Sequence, residues 1–170
     1  HGYSVSIMDT RKTLPGWRAI QKWAGTLGGG INHRSSLADG LLVKDNHLAL
    51  LRGKRAPILS ACRAARSRAP HTKCPLIVEV ESIREVKQAL RGKAEIILLD
   101  NMSVTDVRKA VKLIAGRALV EVSGGINLKN VRAMAAAGAD RISIGALTHS
   151  APAATLSLEL KVATQPKRRS

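Results

Sequence analysis

Arg11 and Lys12 sit in the run Asp9-Thr10-Arg11-Lys12-Thr13, and Arg34 closes a second run, Gly28-Gly29-Gly30-Ile31-Asn32-His33-Arg34. Lys44 and His47 follow in Lys44-Asp45-Asn46-His47. Cations grouped in this way, among glycines and single acids, suit a small ligand with several negative charges. A guanidinium grips a carboxylate or phosphate through two parallel hydrogen bonds, while an ammonium acts as a compact point charge. One such run alone reads as a solvated loop. Three of them, each beside an expected strand end or a glycine turn, read as a site.

A complementary set of residues recurs along the second half. Glu79, Asp100, Ser123 and Gly145 are spaced 21, 23 and 22 residues apart, each at or just past the C-terminal end of an expected strand. Glu79 interrupts an otherwise apolar run, where an unpaired carboxylate would be costly. Ser123-Gly124-Gly125-Ile126 and Ser143-Ile144-Gly145-Ala146 are small-residue turns between a strand and a helix. Such turns let backbone N–H groups reach a phosphate, with a following helix N-terminus adding a favourable dipole. Asp39 and Asp45 read as caps or orienting groups, with Asp45 a further candidate contact to pyrophosphate or metal. Trp17 and Trp23 share a helix face and read as packing residues. His1 and His71 read as exposed and idle.

The elements that must position these groups alternate. Strands are predicted over Pro75–Val80, Glu95–Leu99, Ala118–Val122 and Arg141–Ile144. Helices follow from a capping box at Ser82–Glu85 to near Gly92, over Val104–Ala115, and over Leu128–Ala137 with Gly138 as its C-terminal cap. In the first half, Ser4–Met8 and Leu41–Val43 read as strands. Pro15 suits the first turn of a helix running to Ala24. The three glycines 28–30 read as a sharp turn or a close approach to ligand, and Arg55–Arg68 as a helix with room for a shorter one before it. About six parallel strands with short connections predict an α/β fold: an open or incomplete TIM-like barrel, with its site at the C-terminal ends of the strands. Thr155–Val162 alternates like a strand with one wet face and could join another sheet. The expected domain spans 1–162, followed by a basic disordered tail over 163–170.

The composition narrows the function classes. The chain has 170 residues, 45% of them hydrophobic, with no Phe, two Trp and one Tyr. So few aromatics argue against a stacking surface for single-stranded nucleic acid. Cys62 and Cys74 lack metal-ligand spacing and read as idle thiols in a reducing compartment. No apolar run is as long as a membrane span and no signal-peptide pattern opens the chain, so a cytoplasmic protein without membrane attachment is expected. Much of the net charge of +16 is regional: seven Lys or Arg and no acid lie between Asn46 and Val78, and four more lie from Lys161 onward. That basicity reads mainly as a solvated face, with non-specific nucleic-acid attraction as its other meaning.

Together, DTRKTLPGWR, GGGINHRSSLADGLLVKDNH, IVEVES, ILLDNM, VEVSGGINLKNV and ISIGALTHSAPAATLSLEL resemble the C-terminal catalytic domain of the quinolinate phosphoribosyltransferase family, the carboxylating nicotinate-nucleotide pyrophosphorylases. The resemblance runs in order from Asp9 to Leu160. It implies transfer of phosphoribose from phosphoribosyl pyrophosphate to the ring nitrogen of quinolinate, loss of the 2-carboxylate, and products nicotinate mononucleotide, pyrophosphate and CO2, with Mg2+ required. By the same resemblance Arg11, His33, Arg34 and Lys44 surround quinolinate, and Lys12 lies on the pyrophosphate side. Glu79 and Asp100 lie near ribose and metal, and Ser123, Gly124, Gly125, Gly145 and His149 lie around the 5′-phosphate. Lys12, Glu79 and Asp100 are the implied catalytic groups. Asp45, Glu79 and Asp100 are the implied metal contacts, directly or through water.

Family members carry an N-terminal sandwich domain ahead of the first motif, whereas eight residues precede Asp9 here. The resemblance therefore predicts a homodimer or higher oligomer, an apolar surface that the absent domain would cover, and a site short of the arginine that this domain lends its neighbour. The alternative readings are a non-catalytic remnant that binds anions or nucleic acid, and a molybdenum-associated relative of the same family.

Overall fold

In a computed structural model, residues 2–51 and 53–161 are described. His1, Arg52, Val162 and the tail expected to be disordered lie outside them. Six parallel strands, β1 (Ser6–Met8), β2 (Leu41–Val43), β3 (Leu76–Val80), β4 (Ile96–Asp100), β5 (Leu119–Ser123) and β6 (Arg141–Ser143), form one sheet in the order β1-β6-β5-β4-β3-β2. The helices are α1 (Arg18–Leu27), α2 (Asp45–Ala49), α3 (Pro57–Arg68), α4 (Ile83–Arg91), α5 (Val104–Ile114), α6 (Val131–Ala136) and α7 (Ala146–His149). This is the open TIM-like arrangement that the sequence predicts. β6 returns to pair with β1, and among the described residues β1 and β2 do not pair with each other. Ile31 partly fills the open side through a single parallel bridge to Met8: its N–H donates to Ile7 O at 2.8 Å, and its carbonyl accepts from Asp9 N–H at 3.3 Å.

Strand alternation divides the interior in two. Residues 76, 78, 80, 97, 99, 120, 122 and 142 belong to the core between sheet and helices. Ile77, Ile96 and Leu98 form a separate cluster on the opposite, inward face of the sheet. Val78, Ile97, Val122 and Ile142 are fully buried, each contributing about 1.5–3 kcal/mol relative to exposure. The same alternation carries Glu79, Asp100, Glu121, Ser123 and Ser143 to the inward face, where aligned neighbours on adjacent strands include Asp100–Ser123 and Glu121–Arg141.

Several boundaries differ from the sequence reading, each for a local reason. α1 starts at Arg18 rather than Pro15, because Gly16 takes a left-handed φ of +77° that no helix accommodates. Arg18 then ties the turn down, donating to Thr13 Oγ1 at 3.2 Å and Arg11 O at 3.3 Å. α6 starts at Val131, delayed by the turn in which Asn127 N–H donates to Asn130 Oδ1 at 2.8 Å. Ser82 caps α4, but the Glu85 carboxylate accepts the N–H of Glu81 at 2.8 Å instead of closing a box on Ser82. The triple glycine makes a sharp turn: a Cβ on Gly30 would lie 3.0 Å from Gly25 O and 3.4 Å from Ile7 O. Thr155–Lys161 forms no strand, and Leu156, Leu158 and Leu160 are exposed.

The polarity of α1 is inverted. Its one buried side chain is Lys22, and Ile20, Trp23 and Leu27 are exposed alongside Leu14 and Trp17. The two tryptophans are thus not packing residues; Trp17 is 56% and Trp23 63% exposed. Lys22 donates from Nζ to Asp9 Oδ1 at 2.6 Å and to His33 O at 2.9 Å, with both members of the ion pair buried. Both cysteines are free: Cys62 is buried, and Cys74 is partly exposed with its Sγ 3.1 Å from Ala38 O. No helix among the described residues is long and apolar enough to cross a membrane.

Two measurements check this account. Lys22→Met leaves a buried carboxylate without its counter-charge and should cost about 3 kcal/mol in urea unfolding. Burial pushes the Cys62 thiol up to about 11, so at pH 8 a disulfide reagent should label Cys74 and spare Cys62 until denaturant is added.

Candidate active site

The C-terminal ends of the strands surround an open cleft of about 1280 Å3. Arg11, Lys12, His33, Arg34 and Lys44 line it from the first half of the chain, and Glu79, Asp100, Ser123, Gly124, Gly125, Gly145 and His149 from the second. Every expected site residue but one is brought together. The exception is Asp45, which stands exposed in the first turn of α2, outside the cleft lining, with its Oδ1 accepting the N–H of Asn46 at 2.7 Å. His47 does line the cleft, and its Nδ1 accepts the Lys44 N–H at 3.0 Å.

The cationic wall is held from behind. The Asp9 carboxylate accepts from Lys22 Nζ and, at 2.7 Å, from His33 N–H. The Asn32 amide, oriented with its nitrogen toward Asp9, donates to Oδ2 at 2.7 Å and to Lys22 O at 3.0 Å. That buried group fixes the end of β1, from which Arg11 and Lys12 follow, and the segment carrying His33 and Arg34. Arg34 Nη1 donates to Gly40 O at 3.2 Å. Burial and the neighbouring Arg11 charge push the Arg34 guanidinium below its usual range, partly offset by Asp39, Glu121 and Glu79. Arg11 Nε is buried with no hydrogen-bond partner. Two guanidiniums that repel each other, one with an unused donor, make a site that an anion relieves. Asp39 orders the adjacent loop by accepting from Ser35 N–H, Ser36 N–H and Ser36 Oγ, which hold its carboxyl below the ordinary range.

The acidic groups line the same cleft. Lys44 Nζ is 2.7 Å from Glu79 Oε2, on adjoining strands whose aligned residues end one step earlier at Val43 and Val78. Asp100 accepts from Ser123 Oγ through Oδ1 and from Asn101 Nδ2 at 2.8 Å through Oδ2. Among the described residues no three His, Cys, Asp or Glu side chains cluster as a metal cage. The donor set instead fits Mg2+ held by one or two carboxylates, water and ligand phosphates.

The phosphate-type turns are only partly as expected. Gly145 leads directly into α7, and a Cβ there would overlap His149 Nε2. Gly124 and Gly125 take φ of +86° and +61°. No helix N-terminus follows them at once, because α6 begins only at Val131. A Cβ on Gly124 would overlap Asn101 Oδ1, so this glycine leaves the space that Asn101 occupies beside Asp100.

Sequence reasoning passed over Asp9, Lys22, Asn101 and Glu121. Glu121 is fully buried and lines the cleft, with His33 Nε2 3.0 Å and Ser143 Oγ 2.6 Å from its Oε1. Its signal was present: it interrupts the apolar strand Leu119–Val122 as Glu79 interrupts β3. A buried lysine on a helix has no such signature.

Comparison with known proteins places this geometry. A model described as quinolinate phosphoribosyl transferase, C-terminal domain, matches residues 1–159. The chain is 43% identical over 162 residues to the nicotinate-nucleotide pyrophosphorylase [carboxylating] of Mycobacterium leprae, covering 94% of this chain and 55% of that protein. It is 38% identical to the probable enzyme of that name in Bacillus subtilis, covering 95% and 54%. The solved nicotinate-nucleotide pyrophosphorylase of Ehrlichia chaffeensis superposes with a TM-score of 0.77 at 40% identity, over 88% of this chain and 52% of that one. The chain thus spans about half the length of the curated relatives it matches.

The two glycines after β5 separate conformational strain from overlap. Gly125→Ala has open space around it and should cost about 1–2 kcal/mol for its left-handed φ. Gly124→Ala should cost more, because it also displaces Asn101. Paired urea-unfolding curves test the difference.

Proposed function

The chain belongs to the quinolinate phosphoribosyl transferase family, and from that premise we propose that it is the catalytic barrel domain of a carboxylating nicotinate-nucleotide pyrophosphorylase. It joins quinolinate to the ribose of phosphoribosyl pyrophosphate and decarboxylates the product to nicotinate mononucleotide. The observation that carries this reading is the gathering of both charge sets in one cleft: Arg11 and Arg34, with an unused buried donor, line it together with Glu79 and Asp100. Quinolinate supplies two adjacent carboxylates for the first set. A ribosyl cation-like centre suits the second.

In the transfer, the pyridine nitrogen attacks the ribose anomeric carbon as the bond to pyrophosphate breaks and that group leaves with its electron pair. No general base is needed, since the nitrogen lone pair is already free. Catalysis rests on positioning two anions and on charge stabilisation. Glu79 and Asp100 face the carbon that develops positive charge, and Lys12 and Lys44 neutralise the anionic partners. The positive charge on the ribosylated nitrogen then stabilises the electron pair left on C2 when the C2–carboxylate bond breaks and CO2 departs, and that pair takes up a proton. Mg2+, when bound with the pyrophosphate group, would withdraw charge from the leaving oxygens. Glu79 and Asp100 would hold it, directly or through water. The turns at Ser123–Gly125 and Gly145, with His149, would take the 5′-phosphate.

A homodimer and a cytoplasmic setting complete the proposal. The apolar outer face of α1 supports a protein–protein contact there, and two free thiols suit a reducing compartment.

Release of 14CO2 from carboxyl-labelled quinolinate, dependent on phosphoribosyl pyrophosphate and Mg2+, tests the activity. Absence of release together with salt-sensitive binding to duplex DNA would favour a non-catalytic, charge-driven role instead. Each charge-assisted bond is worth about 1.5–3 kcal/mol, so Arg34→Ala should weaken quinolinate binding about tenfold or more by calorimetry. DNA binding should be almost unchanged in that variant.

A further inference from the structure

Glu121 is an unusual choice for the inside of β5. Burying a carboxylate there costs several kcal/mol, and an apolar side chain would avoid the cost. Its Oε1 takes the Ser143 hydroxyl at 2.6 Å and lies 3.0 Å from His33 Nε2, while Oε2 faces Arg141 Nε at 3.4 Å without a hydrogen bond. The other ring nitrogen of His33, Nδ1, accepts the backbone N–H of Arg34 at 2.8 Å. A nitrogen that accepts carries no proton, so this contact leaves the His33 proton on Nε2. Both nitrogens are therefore engaged within the protein. His33, which lines the cleft, links a buried carboxylate to the Arg34 main chain.

The acid is chemically specific in this place. An ionised carboxylate only accepts, so it permits only the Nε2–H tautomer. A carboxamide could donate to Nε2, and the alternative Nδ1–H tautomer would set one N–H against that of Arg34. Burial pushes the Glu121 carboxyl up, but the His33 and Ser143 contacts and the nearby Arg141 charge more than offset this and hold it below its usual range.

Resting on the function proposed above, we propose that Glu121 is a positioning residue for the quinolinate half of the site. It selects the His33 tautomer and through it fixes the Arg34 backbone that aims the guanidinium. The assignment concerns alignment of one wall, so it should act on one substrate and not on the other.

The test begins with long-range proton–nitrogen NMR of the 15N-labelled protein at pH 7.5, the His33 signals being identified by their loss in His33→Asn. Protonated Nε2 with bare Nδ1 is expected; protonated Nδ1, or protons on both, overturns the proposal without any variant. In Glu121→Gln the single tautomer should give way to a mixture, and the dissociation constant for quinolinate should rise about tenfold while that for phosphoribosyl pyrophosphate stays within twofold. Glu121→Asp should recover part of the loss. Equal weakening of both ligands would mark a merely structural role, and no change in either would also refute the assignment. If the unaltered protein fails to bind quinolinate, the proposed function falls, and the wild-type and Glu121→Gln tautomer readings still decide the Glu121 assignment.

Discussion

The buried Asp9 carboxylate is the constraint on which the first half of the molecule depends. Three donors converge on it from different parts of the chain: the Lys22 ammonium from α1, the His33 main chain, and the Asn32 amide. A carboxylate buried without them would be untenable, so satisfying it forces α1, the end of β1 and the 31–34 segment into one arrangement. The consequence for chemistry is direct. Arg11 and Lys12 leave β1 just after Asp9, and Arg34 follows His33, so one structural ion pair sets the spacing of the cationic wall. The open side of the barrel, which has no β1–β2 pairing, is held by this polar cluster rather than by a strand ladder.

The second half relies on a different device. Parallel strands with period-two alternation send apolar side chains outward to the helices and, at the strand ends, send Glu79, Asp100, Ser123 and Ser143 inward. Position along the strand decides the chemistry: the lowest rung of the inward face holds Ile77 and Ile96, Leu98 shares the next with Glu79 and Glu121, and Asp100 and Ser123 stand above them. The acidic wall is thus a by-product of ordinary sheet geometry, whereas the cationic wall needs its own buried anchor.

That contrast explains what was legible in the sequence. The units from β3 to β6 are legible because short apolar runs alternate with amphipathic helices, and Glu79 stands out as a charge inside such a run. Glu121 carried the same signal and was overlooked beside the glycines that follow it. The start of α1 was misread because Pro15 is a good first-turn residue, while the decisive Gly16 declares itself only through its left-handed backbone. Lys22 could not be read at all: its burial depends on an aspartate thirteen residues away that the fold brings beside it. Thr155–Lys161 shows the reverse error: alternation alone suggests a strand, and the segment forms none.

The inversion of α1 has an optical consequence. Trp23 lies on its outer surface and Trp17 at its N-terminal cap, both exposed, and there is no phenylalanine and a single tyrosine elsewhere. The sheet, the acidic wall and the aliphatic core are almost silent in indole emission. Intrinsic fluorescence of this protein therefore reports on one helix face, the one that any docking partner would shield from water, and a blue shift on association would say nothing about the barrel behind it.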